Sequence, residues 1–310
     1  MILDKVGPCW RIGALALACT ASAACSGSPV LTGPGSASLR VVASISPIAS
    51  LVAAVGGSKI QLATLVPLGV SPETYDPRPK DLVTLSRARL LVENGAGLET
   101  WLDKLIANAA KNDLHVLVLS DGLPVADRDP HAPAGMSGNP HLWLDPVFAQ
   151  AYVRKIAAEL ERLDPPNRAY YARNERTEVR RLRALDAWIR AQLSKVPPDR
   201  RTAIVFHDAW YYFDRRYGIR DVGAVELTPG QEPSAEYFAK LISLARSRHV
   251  RAAFAEPQFS PKLIRQLAES ADIHTVSDLY DDTLGDAPGI DTYEGMLRYD
   301  VANMVRAMNR

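Results

Sequence analysis

Short apolar runs alternate with longer amphipathic stretches from residue 39 to the end of the chain. Runs rich in Val, Ile, Leu and Ala predict strands, and stretches with apolar residues three or four apart predict helices. The predicted strands span residues 39–45, 60–68, 90–94, 114–120, 201–206, 219–227, 250–256 and 273–278. The predicted helices span residues 47–57, 80–89, 98–111, 208–218, 234–248, 260–271 and 292–310. This alternation is typical of an α/β fold with mainly parallel sheets.

The same order of elements occurs in both halves of the chain. Short segments of the two halves are also similar: "LVTLSRAR" at residues 82–89 resembles "LISLARSR" at 241–248. The repeat predicts two similar lobes, residues 39–166 and 197–310, each with a mainly parallel sheet flanked by helices.

One long amphipathic stretch, residues 167–196, lies between the two halves. Proline pairs precede and follow it, and both favour helix boundaries there. Its apolar residues recur on one helical face, at Val179, Leu182, Leu185, Ile189 and Leu193. At ~1.5 Å per residue, about 30 residues span roughly 45 Å. We expect one rigid connecting helix that restricts hinge closure between the lobes.

The first residues have the pattern of a bacterial export signal. Lys5 and Arg11 precede an apolar run of small residues that is too short and alanine-rich for a membrane span. Residues 1–24 are predicted to be a signal peptide, and Cys25, which follows two alanines, is predicted to be lipidated. Cys19 is the rival lipidation site, and an uncleaved anchor is the plainer alternative. Residues 25–38 form the lipidated start and a Gly/Ser/Pro-rich spacer.

Composition excludes several classes of site and partner. The chain has 36 basic and 35 acidic residues, and removing Lys5, Arg11 and Asp4 with the signal leaves 34 of each. A balanced charge argues against nucleic acid as a partner. All three cysteines lie within the first 25 residues, so the body has neither a disulfide framework nor a thiolate metal site.

Polar side chains able to bind metals follow several predicted strands, at the sheet edge where α/β proteins bind ligands. They are Glu73, His141, His207 and the adjacent pair Asp281 and Asp282. Each has a plainer interpretation as a loop or packing residue, so the hypothesis depends on the whole set. The other histidines are expected to be surface or packing residues: His115, His131, His249 and His274.

At these residues the chain resembles the metal-binding lipoproteins that deliver zinc or manganese to ABC importers (the ZnuA/TroA type). The motifs are "PLGVSPETYDPRPKDL", "NPHLWLDP", "FHDAWYYFDRRYGI", and "YDDTLG" followed by "TYEGMLRYDVANM". The resemblance covers essentially the whole mature chain. It implies that His141, His207 and Asp282, rather than Asp281, are metal ligands.

Glu73 departs from the family pattern, because it stands where the first histidine is usual. A carboxylate oxygen binds the same metals at a similar distance, so the expected ligand set is Glu73, His141, His207 and Asp282. Manganese-type members also combine two imidazoles with two carboxylates, but their third ligand is acidic where this chain has His207. Divalent metals follow the Irving–Williams order, which favours zinc over manganese as the transported ion.

The resemblance implies a lipid-anchored, extracytoplasmic and monomeric solute-binding protein that presents its metal to an ABC permease, and not an enzyme. Three alternatives differ in class. A secreted zinc hydrolase would keep an open coordination position and turn over a substrate. A surface adhesin of the same fold would tolerate loss of all four ligands. A receptor for a metal chelate would need aromatic or arginine clusters in the cleft.

Overall fold

Two parallel four-stranded sheets form the framework of the chain. The computed structural model describes residues 38–109, 113–126, 138–227 and 230–310. Within these ranges, the first sheet contains β1 (Leu39–Ala43), β2 (Ile60–Thr64), β3 (Leu90–Glu93) and β4 (His115–Val118). The second contains β5 (Thr202–Val205), β6 (Arg220–Ala224), β7 (Ala252–Phe254) and β8 (His274–Val276). Their strand orders, β2-β1-β3-β4 and β6-β5-β7-β8, are equivalent, which confirms two similar lobes.

Every described strand lies inside a predicted apolar run but ends sooner. β2 stops at Thr64, yet the amides of Leu65 and Val66 still bond to the carbonyls of Ala43 and Ser44. The run therefore continues along the sheet until Pro67, beyond the regular ladder. Because all pairings are parallel, the carboxyl ends of the four strands in each lobe meet at one edge.

Nine helices in the described ranges flank the sheets. They are α1 (Ser46–Gly56), α2 (Pro79–Arg87), α3 (Leu102–Asn108), α4 (Pro146–Leu163), α5 (Arg168–Leu193), α6 (Tyr211–Tyr217), α7 (Ala235–Ser247), α8 (Lys262–Ala271) and α9 (Tyr293–Met308). Eight of the nine match predicted helices within a few residues at each end.

The prediction omits helix α4, although the sequence carries its start signal. The side chain of Asp145 accepts a hydrogen bond from the amide of Val147, and Pro146 occupies the first helical position. An acidic cap followed by proline is a common way to begin a helix. The helix packs its buried face along α5.

The long connecting helix is α5, which has 26 residues and so spans roughly 39 Å at ~1.5 Å per residue. It begins one residue later and ends three residues earlier than predicted. The five apolar residues predicted to share a face are all buried in the largest apolar cluster. The helix contacts α1 from the first half of the chain and α9 from the second, so it is packed against both halves.

We expect Leu185→Ala to lower the free energy of unfolding by about 2–5 kcal/mol, because it leaves a cavity in a well-packed core. Leu185 is 0% exposed on α5. Arg183→Ala, at an exposed position of the same helix, is the control and should change stability by less than about 0.5 kcal/mol. Urea denaturation measures both, and equal losses would contradict the packing role of this face.

Several predictions concern residues outside the described ranges. They are the signal peptide at 1–24, lipidation at Cys25 or Cys19, most of the spacer at 25–38, and the surface position of His131. None of the helices in the described part of the chain has the length and apolar character to span a bilayer.

Candidate metal centre

Four side chains from both lobes converge in one buried cluster. Glu73 lies in the loop after β2, His141 precedes α4, His207 follows β5, and Asp282 follows β8. One ligand atom of each lies within 4.8 Å of the others. His141, His207 and Asp282 are at most 2% exposed, and the Glu73 side chain is 8% exposed. The structure thus brings together the four residues predicted from the sequence.

The spacing of these atoms is that of ligands around a single ion. The Nε2 atom of His141 lies 3.2 Å from His207 Nε2, 3.4 Å from Asp282 Oδ1 and 3.9 Å from Glu73 Oε1. His207 Nε2 lies 3.9 Å from Asp282 Oδ2 and 4.0 Å from Glu73 Oε2. Four ligands at ~2.1 Å in a tetrahedron are separated by ~3.4 Å. A small ion therefore fits the centre with only slight contraction of the cluster.

Both imidazole rings are oriented by contacts at Nδ1. The Nδ1 atom of His207 lies 2.6 Å from Glu256 Oε2, and that of His141 lies 3.1 Å from the amide oxygen of Asn139. Each oxygen can accept a hydrogen bond from a protonated Nδ1, and that tautomer would leave the lone pair of Nε2 directed at the cluster. Two such lone pairs 3.2 Å apart repel each other unless a cation or proton lies between them.

The carboxylates of the cluster also lack hydrogen-bond donors. Both carboxylate oxygens of Asp282 and the Oε2 atom of Glu73 are buried without a partner among the described residues. Buried polar atoms are normally satisfied, so those left over need an explanation such as an ion. A cation at the centre would satisfy all three atoms at once.

Electrostatics in the cluster also favour a cation. Burial raises the pKa of Glu73 to about 7, with the charge of Asp282 adding to the rise and the two histidines opposing it. Desolvation by burial lowers the pKa of His207, but the Glu256 carboxylate outweighs it and raises that pKa well above its usual value. Negative charge is therefore costly here until it is matched by positive charge.

The loop carrying Glu73 is held by its neighbours. The hydroxyl of Tyr75 donates to Asp81 Oδ2 at 2.6 Å, and the same oxygen accepts from the amide of Arg78 at 2.7 Å. The indole of Trp101 donates to the carbonyl of Pro72 at 2.8 Å. These bonds fix the backbone on both sides of Glu73.

The segment carrying Asp282 is fastened to the first lobe. The indole of Trp143 donates to the carbonyl of Asp281 at 2.8 Å, and the amide of Leu284 donates to Ser46 Oγ at 2.9 Å. The amide of Gly69 donates to Thr283 Oγ1 at 3.0 Å. The first lobe therefore helps to position a carboxylate that the second lobe supplies.

Of the adjacent aspartates, Asp282 lies in the cluster and Asp281 lies beside it. Asp281 Oδ1 accepts from Gln258 and from the amide of Asp282, both at 2.6 Å, and its Oδ2 is 3.7 Å from His207 Nδ1. The sequence reasoning missed Glu256 and Asn139 altogether. Glu256 is the last residue of the predicted strand 250–256 and lies two residues after the end of β7, and this position at the sheet edge was the available signal.

The remaining described histidines lie outside the cluster. They include His115, which starts β4 and contacts Arg162, and the loop and strand residues His249 and His274. The structure brings none of these three to the metal-spaced groups found in the described residues.

Comparisons with known proteins are consistent with this geometry. The family model described as "Zinc-uptake complex component A periplasmic" (ZnuA) matches residues 41–307. The manganese-binding lipoprotein MntA of Halalkalibacterium halodurans is 26% identical over 291 residues, 93% of this chain and 95% of that protein. The manganese ABC transporter substrate-binding lipoprotein scaA of Streptococcus gordonii is 28% identical over 293 residues, 93% of this chain and 94% of that protein. The structure of the periplasmic zinc binding protein TroA from Treponema pallidum matches with a TM-score of 0.80 at 26% identity, covering 88% of this chain and 100% of that chain.

Proposed function

The chain belongs to the family of the periplasmic zinc-uptake component A, and we propose that it captures one divalent transition metal between its lobes and delivers it to an ABC permease. The observation that carries the proposal is the buried cluster of Glu73, His141, His207 and Asp282, whose ligand atoms lie within 4.8 Å of one another. Relatives named as metal ABC transporter substrate-binding lipoproteins support the transport role.

In this proposal the four cluster residues are the metal ligands. Two imidazole nitrogens and two carboxylates fill a tetrahedral site, whereas catalytic zinc usually has three protein ligands and an open position for water. The arrangement therefore supports binding without catalysis. A secreted zinc hydrolase remains the contrasting class, and a turnover assay of the metal-loaded protein separates the two.

The choice between zinc and manganese is the finer part of the proposal. Zinc should bind more tightly in solution, because nitrogen and oxygen sites follow the Irving–Williams order. Two carboxylates suit manganese as well, and the relative from Halalkalibacterium halodurans is named for manganese. We propose zinc as the tighter ligand, while metal availability decides which ion is carried in the cell.

Native mass spectrometry with elemental analysis tests the proposal on protein purified without added metal. We expect a monomer with one zinc or manganese ion per chain. Removal of the ion with a chelator, followed by titration with each metal, should restore one ion per chain. A chain that binds neither metal, or binds several weakly at the surface, would refute the proposed function.

Localisation by an N-terminal lipid is a further part of the proposal. We expect the intact mass of membrane-extracted protein to be that of a diacylated chain beginning at Cys25, because a basic start and a small-residue apolar run precede it. A Cys25→Ser variant should lose the lipid and remain unprocessed. A chain beginning at Cys19, or at an unprocessed Met1, would contradict the prediction.

Metal binding should slow hydrogen exchange in the loops of the site and leave it unchanged in the rest of both lobes, because α5 packs against both halves. We expect hydrogen exchange to slow at residues 278–290 and around Glu73. The largest gain is expected at the amides of the exposed residues Asp286 and Ala287, because the amide of Leu284 is already bonded to Ser46. Protection spread evenly through both lobes would contradict this expectation.

A further inference from the structure

Behind His207, on the side away from the metal cluster, the structure contains a second set of buried polar groups. Glu256 is 2% exposed and Asp281 is 0% exposed, and both lie beside the Nδ1 atom of His207. The Oε1 atom of Glu256, the Oδ2 atom of Asp281 and the Oε1 atom of Gln258 are buried without a hydrogen-bond partner among the described residues. So many unsatisfied acceptors beside one imidazole need a functional explanation.

A tight turn after β7 directs the side chains of Glu256 and Phe259 at His207. The amide of Phe259 donates to the carbonyl of Glu256 at 3.2 Å, which closes the turn over residues 256–259. Glu256 reaches Nδ1 at 2.6 Å, and the Phe259 ring packs edge-on to the imidazole with centroids 5.4 Å apart. Gln258 donates to Asp281 at 2.6 Å and lies 3.5 Å from Glu256 Oε2.

The two imidazoles of the cluster have unequal support. His141 has a neutral amide, that of Asn139, at Nδ1, whereas His207 has a buried carboxylate. A carboxylate partner fixes the tautomer of a metal-binding imidazole and raises its basicity more than an amide does. His207 is thus built as the stronger nitrogen donor of the pair.

We propose, on the basis of the proposed function, that Glu256 is a positioning residue that holds His207 with Nδ1 protonated and Nε2 free for the metal. The separation of 2.6 Å between Nδ1 and Oε2 is that of a hydrogen bond. Two ligands of one ion would be ~3.4 Å apart in a tetrahedral site. Glu256 therefore supports the metal site through His207 and does not bind the ion.

Glu256→Gln is the sharpest variant for this role. A glutamine side chain has nearly the same shape but lacks the charge, and its amide group can donate to Nδ1. That donation would stabilise the tautomer that carries its proton on Nε2, and a protonated Nε2 cannot bind the metal. We expect zinc affinity to fall by about 10- to 100-fold, the usual range for loss of such a supporting group, in competition titrations with a chromophoric chelator.

Asp214→Asn is the matched control, because it also removes a buried carboxylate from the second lobe, beside Asp208 and Asp221. It should bind zinc as tightly as the wild type. Circular dichroism of each variant checks that the fold is retained.

A measurement on the zinc-loaded wild type does not depend on the folding of any variant. Long-range ¹H–¹⁵N spectra of ¹⁵N-histidine-labelled protein distinguish the two nitrogens of each ring. We expect two metal-bound imidazoles, both coordinated through Nε2, and a slowly exchanging Nδ1 proton that changes in Glu256→Gln. Coordination of His207 through Nδ1 would overturn the proposal.

The possible results distinguish failure of the proposed function from failure of the positioning role of Glu256. A wild type that binds no zinc contradicts the proposed function and the positioning role together. A wild type with one zinc ion, and a Glu256→Gln variant with equal affinity, overturns the positioning role alone. Two zinc ions in the wild type and one in the variant would also overturn it, since Glu256 would then be a ligand.

Discussion

Asp282→Asn should abolish tight zinc binding, with a larger loss than the about 10- to 100-fold that follows removal of a supporting group. Asp282 is 1% exposed, its Oδ1 atom lies 3.4 Å from His141 Nε2, and neither carboxylate oxygen has a hydrogen-bond partner among the described residues. Asparagine keeps the shape but removes one negative charge and replaces an oxygen with an amide group. Because the site is buried, water cannot easily take over the lost position.

Without metal, the same substitution should not destabilise the protein. In the empty site, Asp282 is a buried carboxylate without a donor, which is costly. The new amide can donate toward the Nε2 lone pair of His141, so the metal-free variant should be at least as stable as the metal-free wild type. Thermal unfolding with and without zinc checks this, and the stabilisation by zinc should disappear.

Asp286→Asn is the control for this experiment, because Asp286 is exposed in the same loop. It should retain zinc affinity and the stabilisation by zinc. An Asp282→Asn variant that binds zinc like the wild type would remove Asp282 from the ligand set. A variant that is less stable than the wild type without metal would show that the carboxylate has a structural role.

The periodicity of the chain predicts most of the fold, because burial imposes it on the sequence. Val41 in the central strand β1 pairs with Leu62 on one side and Leu90 on the other, and such strands must be apolar on both faces. Burial imposes the same constraint on Leu185 and Ile189 of α5, where only the face toward the core is apolar. The prediction omits helix α4, although Asp145 and Pro146 mark its start.

The convergence of the cluster could be predicted because parallel strands direct their following loops to one edge of the sheet. The supporting groups could not be predicted in the same way. Glu256 and Asn139 act on His207 and His141 through Nδ1, and a ring contact of this kind depends on side-chain orientation, which periodicity does not encode. The strand-end rule alone also left Asp281 and Asp282 equivalent, because adjacent loop residues follow the same strand.

Glu73 is the least conventional member of the cluster. Its substitution distinguishes direct metal binding by Glu73 from a site in which water occupies the fourth position. Its side chain is 8% exposed, and its two oxygens lie 3.9 Å from His141 Nε2 and 4.0 Å from His207 Nε2. The separation of 4.0 Å is the longest that the two imidazoles make to a carboxylate of the cluster, and Glu73 is the most exposed of the four residues. Its loss should therefore cost less than the loss of Asp282.

We expect Glu73→Gln to weaken zinc binding by about 10- to 100-fold, because losing one interaction with a charged group costs about 1.5–3 kcal/mol and 1.4 kcal/mol is a factor of ten. Glu73→His should retain zinc and penalise manganese, since imidazole is the softer ligand. Asp76→Asn, exposed in the same loop, should bind both metals like the wild type. Competition with a chromophoric chelator measures zinc, and electron paramagnetic resonance of free Mn²⁺ measures manganese. Equal zinc affinities of the wild type and Glu73→Gln would show instead that water occupies the fourth position and that three residues hold the metal.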